Sequence, residues 1–239
     1  MLRSLLASQP MPLQSFFVIA LTAGAAVAEP QFTDLFNGAD LKGWVNVNCA
    51  PDTWRAEDGM IRCTGKPTGL LRTDRMYENF VLELDFKIVG GNSGIQYRSF
   101  KKPGNNDGWR IGGYQADFAA GAGGDRYSGI CYGEGFRGIL SLRGDQTTLT
   151  KEGGKLKKTI KKIGDAAALG KLVKKEDWNT FRIEAKDFQL THYINGEKMT
   201  VLIDNDEKVR RAEGLLALQL HQGPPMTVQF RNIRVKNLK

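Results

Sequence analysis

Apolar and polar residues alternate along much of this chain with a period of two. Phe80, Leu82, Leu84, Phe86 and Ile88 alternate with Val81, Glu83, Asp85 and Lys87, the pattern of a strand buried on one face. Phe181, Ile183 and Ala185 stand in the same relation to Arg182, Glu184 and Lys186. Leu190 to Ile194 runs into Asn195-Gly196, a dipeptide suited to the φ > 0 positions of a two-residue hairpin turn, and Lys198 to Ile203 supplies the return strand. Met226, Val228 and Phe230 keep one phase and Ile233 and Val235 the other, so a β-bulge is expected at Arg231-Asn232. Helical character is confined to Asp165-Ala166-Ala167-Ala168-Leu169, a short helix with Asp165 as its N-cap, ending near Gly170. Glycines cluster between strands, at Gly121 to Gly124 and Gly133 to Gly138. Many short antiparallel strands with Gly-rich turns predict an all-β fold, a two-sheet jelly-roll β-sandwich with one sheet face open to solvent.

The N-terminus departs from this pattern. Arg3, the apolar run Phe16 to Leu21 and the small residues Ala26-Val27-Ala28 have the order of a secretory signal peptide, with cleavage expected after Ala28. The run is too short and too diluted by Thr22 and Gly24 to span a bilayer, so no integral membrane segment is expected in the mature chain. Residues 29–239 then form one domain, exported to the periplasm or secreted, with no linker and no internal repeat. Export permits disulfides. Cys49 and Cys63 flank a strand-turn-strand pattern around Glu57-Asp58-Gly59, so a Cys49–Cys63 bridge is expected, with Cys131 free and buried.

The net charge of +8 changes the picture little. Residues 151–175 hold nine lysines against Glu152 and Asp165, and the rest of the mature chain sums to zero. A nucleic-acid binder places its cations beside aromatics along a groove, and this segment has no aromatic, so a solvated Lys-rich insertion is expected and no nucleic-acid partner.

Alternation also sorts the polar groups that bear chemistry. Gln96 and Arg98 share a face opposite Ile95 and Tyr97; Gln115 and Asp117 share one opposite Tyr114 and Phe118; Gln219 and His221 oppose Leu216, Leu218 and Leu220. Ordinary exposed sheet faces favour Thr, Lys and Glu, whereas these side chains give directional hydrogen bonds or ligate a metal. Glu134, flanked by Gly133 and Gly135, lies where backbone can approach a ligand closely. His192 is in phase with Leu190 and Ile194 and reads as a hydrogen-bonded core or rim histidine, while His221, followed by Gln222-Gly223-Pro224-Pro225, is the better catalytic or metal-ligand candidate. No nucleophile elbow, phosphate loop, dinucleotide fingerprint or His-Glu-x-x-His is present.

A wider set of residues resembles one family. Phe32-Thr33-Asp34-Leu35-Phe36-Asn37-Gly38, Leu41-Lys42-Gly43-Trp44, Trp54, Glu57-Asp58-Gly59 and Tyr77-Glu78-Asn79-Phe80 come first. Gly91-Asn92-Ser93-Gly94-Ile95, Trp178-Asn179, Ile194-Asn195-Gly196, Leu218-Gln219-Leu220-His221 and Phe230-Arg231-Asn232-Ile233 follow in order. Together they resemble the 3-keto-disaccharide hydrolase domain family. The resemblance implies a concanavalin-like jelly roll that cleaves 3-keto-glycosides by elimination and hydration, a carbohydrate substrate, and a divalent metal ion as a cofactor that would steady an enolate oxygen. On this chain it implies Asp117, Glu134 and His221 as catalytic residues, Asp117 and His221 as metal ligands, and Gln96, Arg98, Trp109, Gln115 and Gln219 as substrate-binding residues. Where many members carry Glu-x-Gln, this chain has Gln115-Ala116-Asp117, a carboxylate shifted by two positions on the same face. The shift admits preserved chemistry, an altered metal site, or a member that only binds. The alternative is thus a non-catalytic, lectin-like module using Trp109 and Tyr114, and a third reading is a scaffold whose lysines hold anionic polymers.

Overall fold

The computed structural model describes residues 31–64, 69–102, 110–121, 126–221 and 226–239. Among these, the first sheet runs β12(Lys155–Lys162), β11(Asp145–Glu152), β15(Glu197–Asp204), β14(Gln189–Ile194), β13(Asn179–Lys186), β6(Phe80–Val89), β17(Thr227–Asn237), β4(Met60–Thr64), β3(Trp54–Glu57), with β1(Thr33–Asp34) beside β17. The second runs β10(Gly138–Ser141), β9(Cys131–Glu134), β8(Ile111–Ala119), β7(Asn92–Lys101), β16(Gly214–Leu220), β5(Gly69–Tyr77), β2(Trp44–Val47). The chain is therefore an all-β jelly-roll sandwich, as the alternation predicts. No described helix is long and apolar enough to cross a membrane.

Local chemistry places the turns where the residue types require them. Asn195 and Gly196 both take positive φ (53° and 85°) between β14 and β15, and Asp58 and Gly59 (51° and 73°) do so between β3 and β4. The phase change in β17 is a bulge, its register with β6 shifting between Arg231 and Arg234. Helix α1(Ala166–Lys171) is capped by Asp165, whose Oδ1 accepts from the Ala168 amide at 2.7 Å. The Lys-rich segment is solvated as expected, and within it Lys155–Lys162 form strand β12, exposed at every residue and paired along its whole length with β11 at the sheet edge.

Both apolar and polar contacts join the sheets. The Phe118 ring of β8 inserts among Phe86, Phe181 and Phe230 of the first sheet, with centroids 4.1, 6.5 and 6.1 Å away; each such ring removes well over 100 Å² from water. Beside them the Tyr97 hydroxyl of β7 meets His192 Nε2 of β14 at 2.8 Å, while His192 Nδ1 meets the Ile130 carbonyl at 3.1 Å. A carbonyl only accepts, so Nδ1 carries the proton and Tyr97 donates to Nε2. His192 is thus the satisfied core histidine its phase predicts.

The expected Cys49–Cys63 bridge is not formed; all three cysteines are free thiols. Cys63 faces the core from β4 and burial pushes its thiol up, whereas the half-buried Cys49 packs its sulfur onto the backbone of Gly69. A Cβ at Gly69 would lie 2.2 Å from that sulfur.

Burial drives the His192 pKa down to about 3 from an ordinary 6.5. The unfolded chain binds this proton first, so its contribution to stability is complete above pH 6.5 and is lost as pH falls toward 3. Denaturant unfolding of wild type and His192→Gln between pH 4 and 7 is expected to give a shallower slope for the variant, by up to about 1.4 kcal/mol per pH unit. Parallel curves would show that His192 does not titrate on unfolding.

Candidate functional site

The outer face of the second sheet carries an open cleft of about 470 Å³. Its lining comes from β7 (Asn92), β8 (Gln115, Asp117), the loop before β9 (Arg126, Tyr127), β9 (Tyr132, Glu134), β10 (Gly138, Ile139) and the end of β16 (His221). Alternation builds it: Ala116, Phe118 and Cys131 point into the core, and their neighbours Gln115, Asp117 and Tyr132 point out. The structure thus places Gln115, Asp117, Glu134 and His221 along one cleft.

Beneath the cleft lies a relay of side-chain amides. Gln96 Nε2 donates to Gln115 Oε1 at 2.7 Å, and Gln115 Nε2 donates to Asp117 Oδ1 at 2.5 Å and toward Gln219 Oε1 at 3.4 Å. The two shorter bonds run in one direction, from Gln96 through Gln115 to Asp117, the orientation an ionised carboxylate requires, since it only accepts. Asp117 is 5% exposed, so its orientation is set by these bonds rather than by solvent. The relay has a cost, because Gln96 Oε1 is buried with no hydrogen-bond partner. Gln96 and Gln219 thus meet the cleft-lining residues through Gln115.

Gly94 makes room for the relay. A Cβ there would lie 2.7 to 2.9 Å from Cγ, Cδ and Nε2 of Gln115. The Gly91 to Ile95 run thus has a physical reason at one position, and Asn92, two residues earlier on the same face, lines the cleft itself.

Arg98 is corrected. It does not reach the cleft but is buried, its guanidinium donating to the carbonyls of Glu78 (2.9 Å), Asp187 (2.6 Å) and Arg211 (3.3 Å) and to Asn79 Oδ1 (3.0 Å). The cause is a bulge between Tyr97 and Phe100 with Arg98 at φ +46°, which ends the strict alternation that pairs it with Gln96. Gly214 admits this bulge: a Cβ there would stand 2.2 Å from the Arg98 carbonyl carbon. Tyr114, the aromatic platform of the lectin-like reading, is also buried, its hydroxyl donating to Asp204 Oδ2 at 2.5 Å. Trp109 lies outside the described residues.

Tyr132 escaped the sequence reading, although its i, i+2 relation to Glu134 signals a shared face. Burial, followed by the charges of Glu134 and Asp117, raises its phenol pKa, keeping it protonated as a donor between two carboxylates. The β9–β10 hairpin that carries Tyr132, Glu134 and Ile139 is pinned by Arg137, whose guanidinium bridges both carboxylate oxygens of Asp204.

A metal held by Asp117 and His221 finds little support in the donor set. Among the described residues no three His, Cys, Asp or Glu side chains are grouped to hold an ion. Gln115 spends its amide oxygen on Gln96 and its amide nitrogen on Asp117. The described residues thus do not supply a three-ligand site for a resident metal.

Fold and cleft together define a carbohydrate-active β-sandwich. The chain belongs to the 3-keto-alpha-glucoside-1,2-lyase-like domain family, whose model matches residues 31–236. Two solved structures from Parabacteroides distasonis, provisionally assigned as glycosyl hydrolases, share the fold. One is 24% identical (TM-score 0.58, covering 87% of this chain and 94% of that one), the other 22% (TM-score 0.57, 87% and 100%). The β-glucanase of Bacillus licheniformis is 13% identical with a TM-score of 0.51, covering 90% of this chain and 100% of its own. Among curated proteins none matches.

Gly94→Ala is expected to cost about 1–3 kcal/mol by overpacking against Gln115. In a Gln115→Ala background the same change should cost under about 0.5 kcal/mol, since the clashing side chain is gone. Urea unfolding of the four proteins measures the coupling; equal costs in both backgrounds would separate Gly94 from the relay.

Proposed function

We propose that this chain cleaves 3-keto-glycosides by elimination followed by hydration, acting after export. The single observation that carries the reading is the convergence of Asp117, Glu134, Tyr132 and His221 in one open cleft, with Asp117 oriented by the amide relay. The family assignment supports the substrate class.

A ketone at C3 acidifies the proton on C2, so an ordinary carboxylate is a competent base. Asp117 takes that proton, and the electron pair passes onto the C3 oxygen as an enolate. The Tyr132 hydroxyl, kept protonated by burial and its acidic neighbours, donates to that oxygen. The enolate then collapses, C3=O re-forms, C1=C2 forms and the C1–O bond breaks. His221 at the open side supplies the proton to the departing oxygen. Water, deprotonated by Glu134, adds to C1 while Asp117 returns its proton to C2, and the sum is hydrolysis. Gln115 holds Asp117 fixed throughout, and Asn92 supplies an amide for a sugar hydroxyl.

The test is incubation with a 3-keto-disaccharide, with and without chelator and with added divalent ions, following sugar release and 2-hydroxy-glucal. Asp117→Asn is expected to lower kcat by about 10²–10⁴-fold, the usual share of a positioned base, with sugar affinity changed only a few-fold. No product under any condition overturns the reading. Unchanged sugar affinity in a wild type without turnover would establish the lectin-like alternative.

A further inference from the structure

The most concentrated charge on the molecule lies outside the cleft, on β12. Every residue of this strand is exposed, and five of its eight residues are lysines: Lys155, Lys157, Lys158, Lys161 and Lys162. Among the described residues only two have acidic partners, Lys157 with Glu152 at 2.9 Å and Lys162 with Asp145 at 2.6 Å. Edge strands commonly carry a lysine to block pairing with another chain. One or two suffice for that, whereas here both faces of the strand are positive. Lys155, Lys157 and Lys161 stand on one face, and Lys158 and Lys162 on the other with Leu156 and Ile160, which are 38% and 54% exposed.

The strand is also continuous with the cleft. Lys158 donates to the carbonyl of Ile139, a residue of the cleft wall. Arg126 continues the positive charge, exposed at the cleft mouth with its guanidinium 4.8 Å from the Tyr127 ring centroid. The hairpin tip extends past its neighbour, since β11 pairs with β15 only from Gln146 to Leu149.

We propose that β12 is a docking surface for an acidic polysaccharide, whose chain lies along the lysines while a sugar unit occupies the cleft. The lysine rows meet carboxylate or sulfate groups repeating along such a polymer. Leu156 and Ile160, on the face of Lys158 and Lys162, offer aliphatic surface to the C–H faces of the sugar rings. A nucleic acid would call for aromatic side chains to stack its bases, and β12 has none. The continuity with the cleft rests on the carbohydrate reading above; the charge of the strand does not.

The test compares wild type, Lys155→Gln/Lys157→Gln/Lys161→Gln and the corresponding Lys→Arg triple variant, all at exposed positions away from the cleft. Binding to polygalacturonate is measured by biolayer interferometry at 50 and 300 mM salt, with dextran, duplex DNA and anionic phosphatidylglycerol vesicles as comparison probes. Wild type and the Arg variant are expected to bind polygalacturonate over dextran, at least tenfold tighter than the Gln variant and weakening at least tenfold with salt. Equal binding by the Gln variant, or DNA or vesicles bound as tightly as polygalacturonate, overturns the proposal. Turnover of a small neutral 3-keto-disaccharide should be equal in all three proteins. Its absence from wild type counts against the catalytic reading alone, and its loss only in the Gln variant would assign β12 to the active site and overturn the docking role.

Discussion

A β-strand offers its side chains to two faces in strict turn, and in the second sheet one face is already committed to the core. Phe118 must enter the aromatic cluster that joins the sheets, and Ala116 and Tyr114 must follow it inward. Gln115 and Asp117 are then forced outward together, with no other place for their polar groups to go. The same constraint acts on Tyr132 and Glu134 through the burial of Cys131. Core packing is thus what aims the cleft, and a residue as far from solvent as Phe118 determines where Asp117 points.

This explains what was legible in the sequence. The sheets, the Asn195-Gly196 and Asp58-Gly59 turns, the β17 bulge and the convergence of Gln115, Asp117, Glu134 and His221 all follow from period two plus residue type. Arg98 was misplaced because one left-handed residue shifts the phase, and the glycine that tolerates it, Gly214, lies more than a hundred positions away. Gln96 and Gln219 were put on the right face, but their bonds to Gln115 were not legible, since alternation gives a side chain's direction and not its partner. The order of the lysines in β12 was plain, yet their place at a sheet edge depends on a parallel pairing of β11 with β15 that no local signal announces.

Polar groups at the cleft also impose a stability cost that the fold offsets elsewhere. The relay leaves Gln96 Oε1 without a partner in a buried site, a loss of about 1–3 kcal/mol. Replacing Gln96 by an apolar residue would remove that loss, but Gln115 would then lose its donor and be free to turn its own amide away from Asp117. The buried Arg98 shows the opposite balance, whereas Arg137 leaves its own Nε without a hydrogen-bond partner. Arg98 satisfies the carbonyls of three separate turns, and Arg137 meets both oxygens of Asp204, so each charge is matched by several acceptors. They hold the scaffold rigid around a relay that is itself under-satisfied.

The departure at Gln115-Ala116-Asp117 can be weighed on the same grounds. A carboxylate moved by two positions stays on the same face but shifts by about 7 Å along the strand. At position 115 it would face Gln96 and the space above Gly94. At position 117 it faces Tyr132 and Glu134, whose charge, with that of Asp117, raises the Tyr132 phenol. The order Gln115 then Asp117 along β8 therefore sets the acceptor end of the relay toward the β9 wall and leaves an amide at the Gln96 end. Negative charge thus collects at the β9 wall rather than at the Gln96 end, where it adds to burial in raising the Tyr132 phenol.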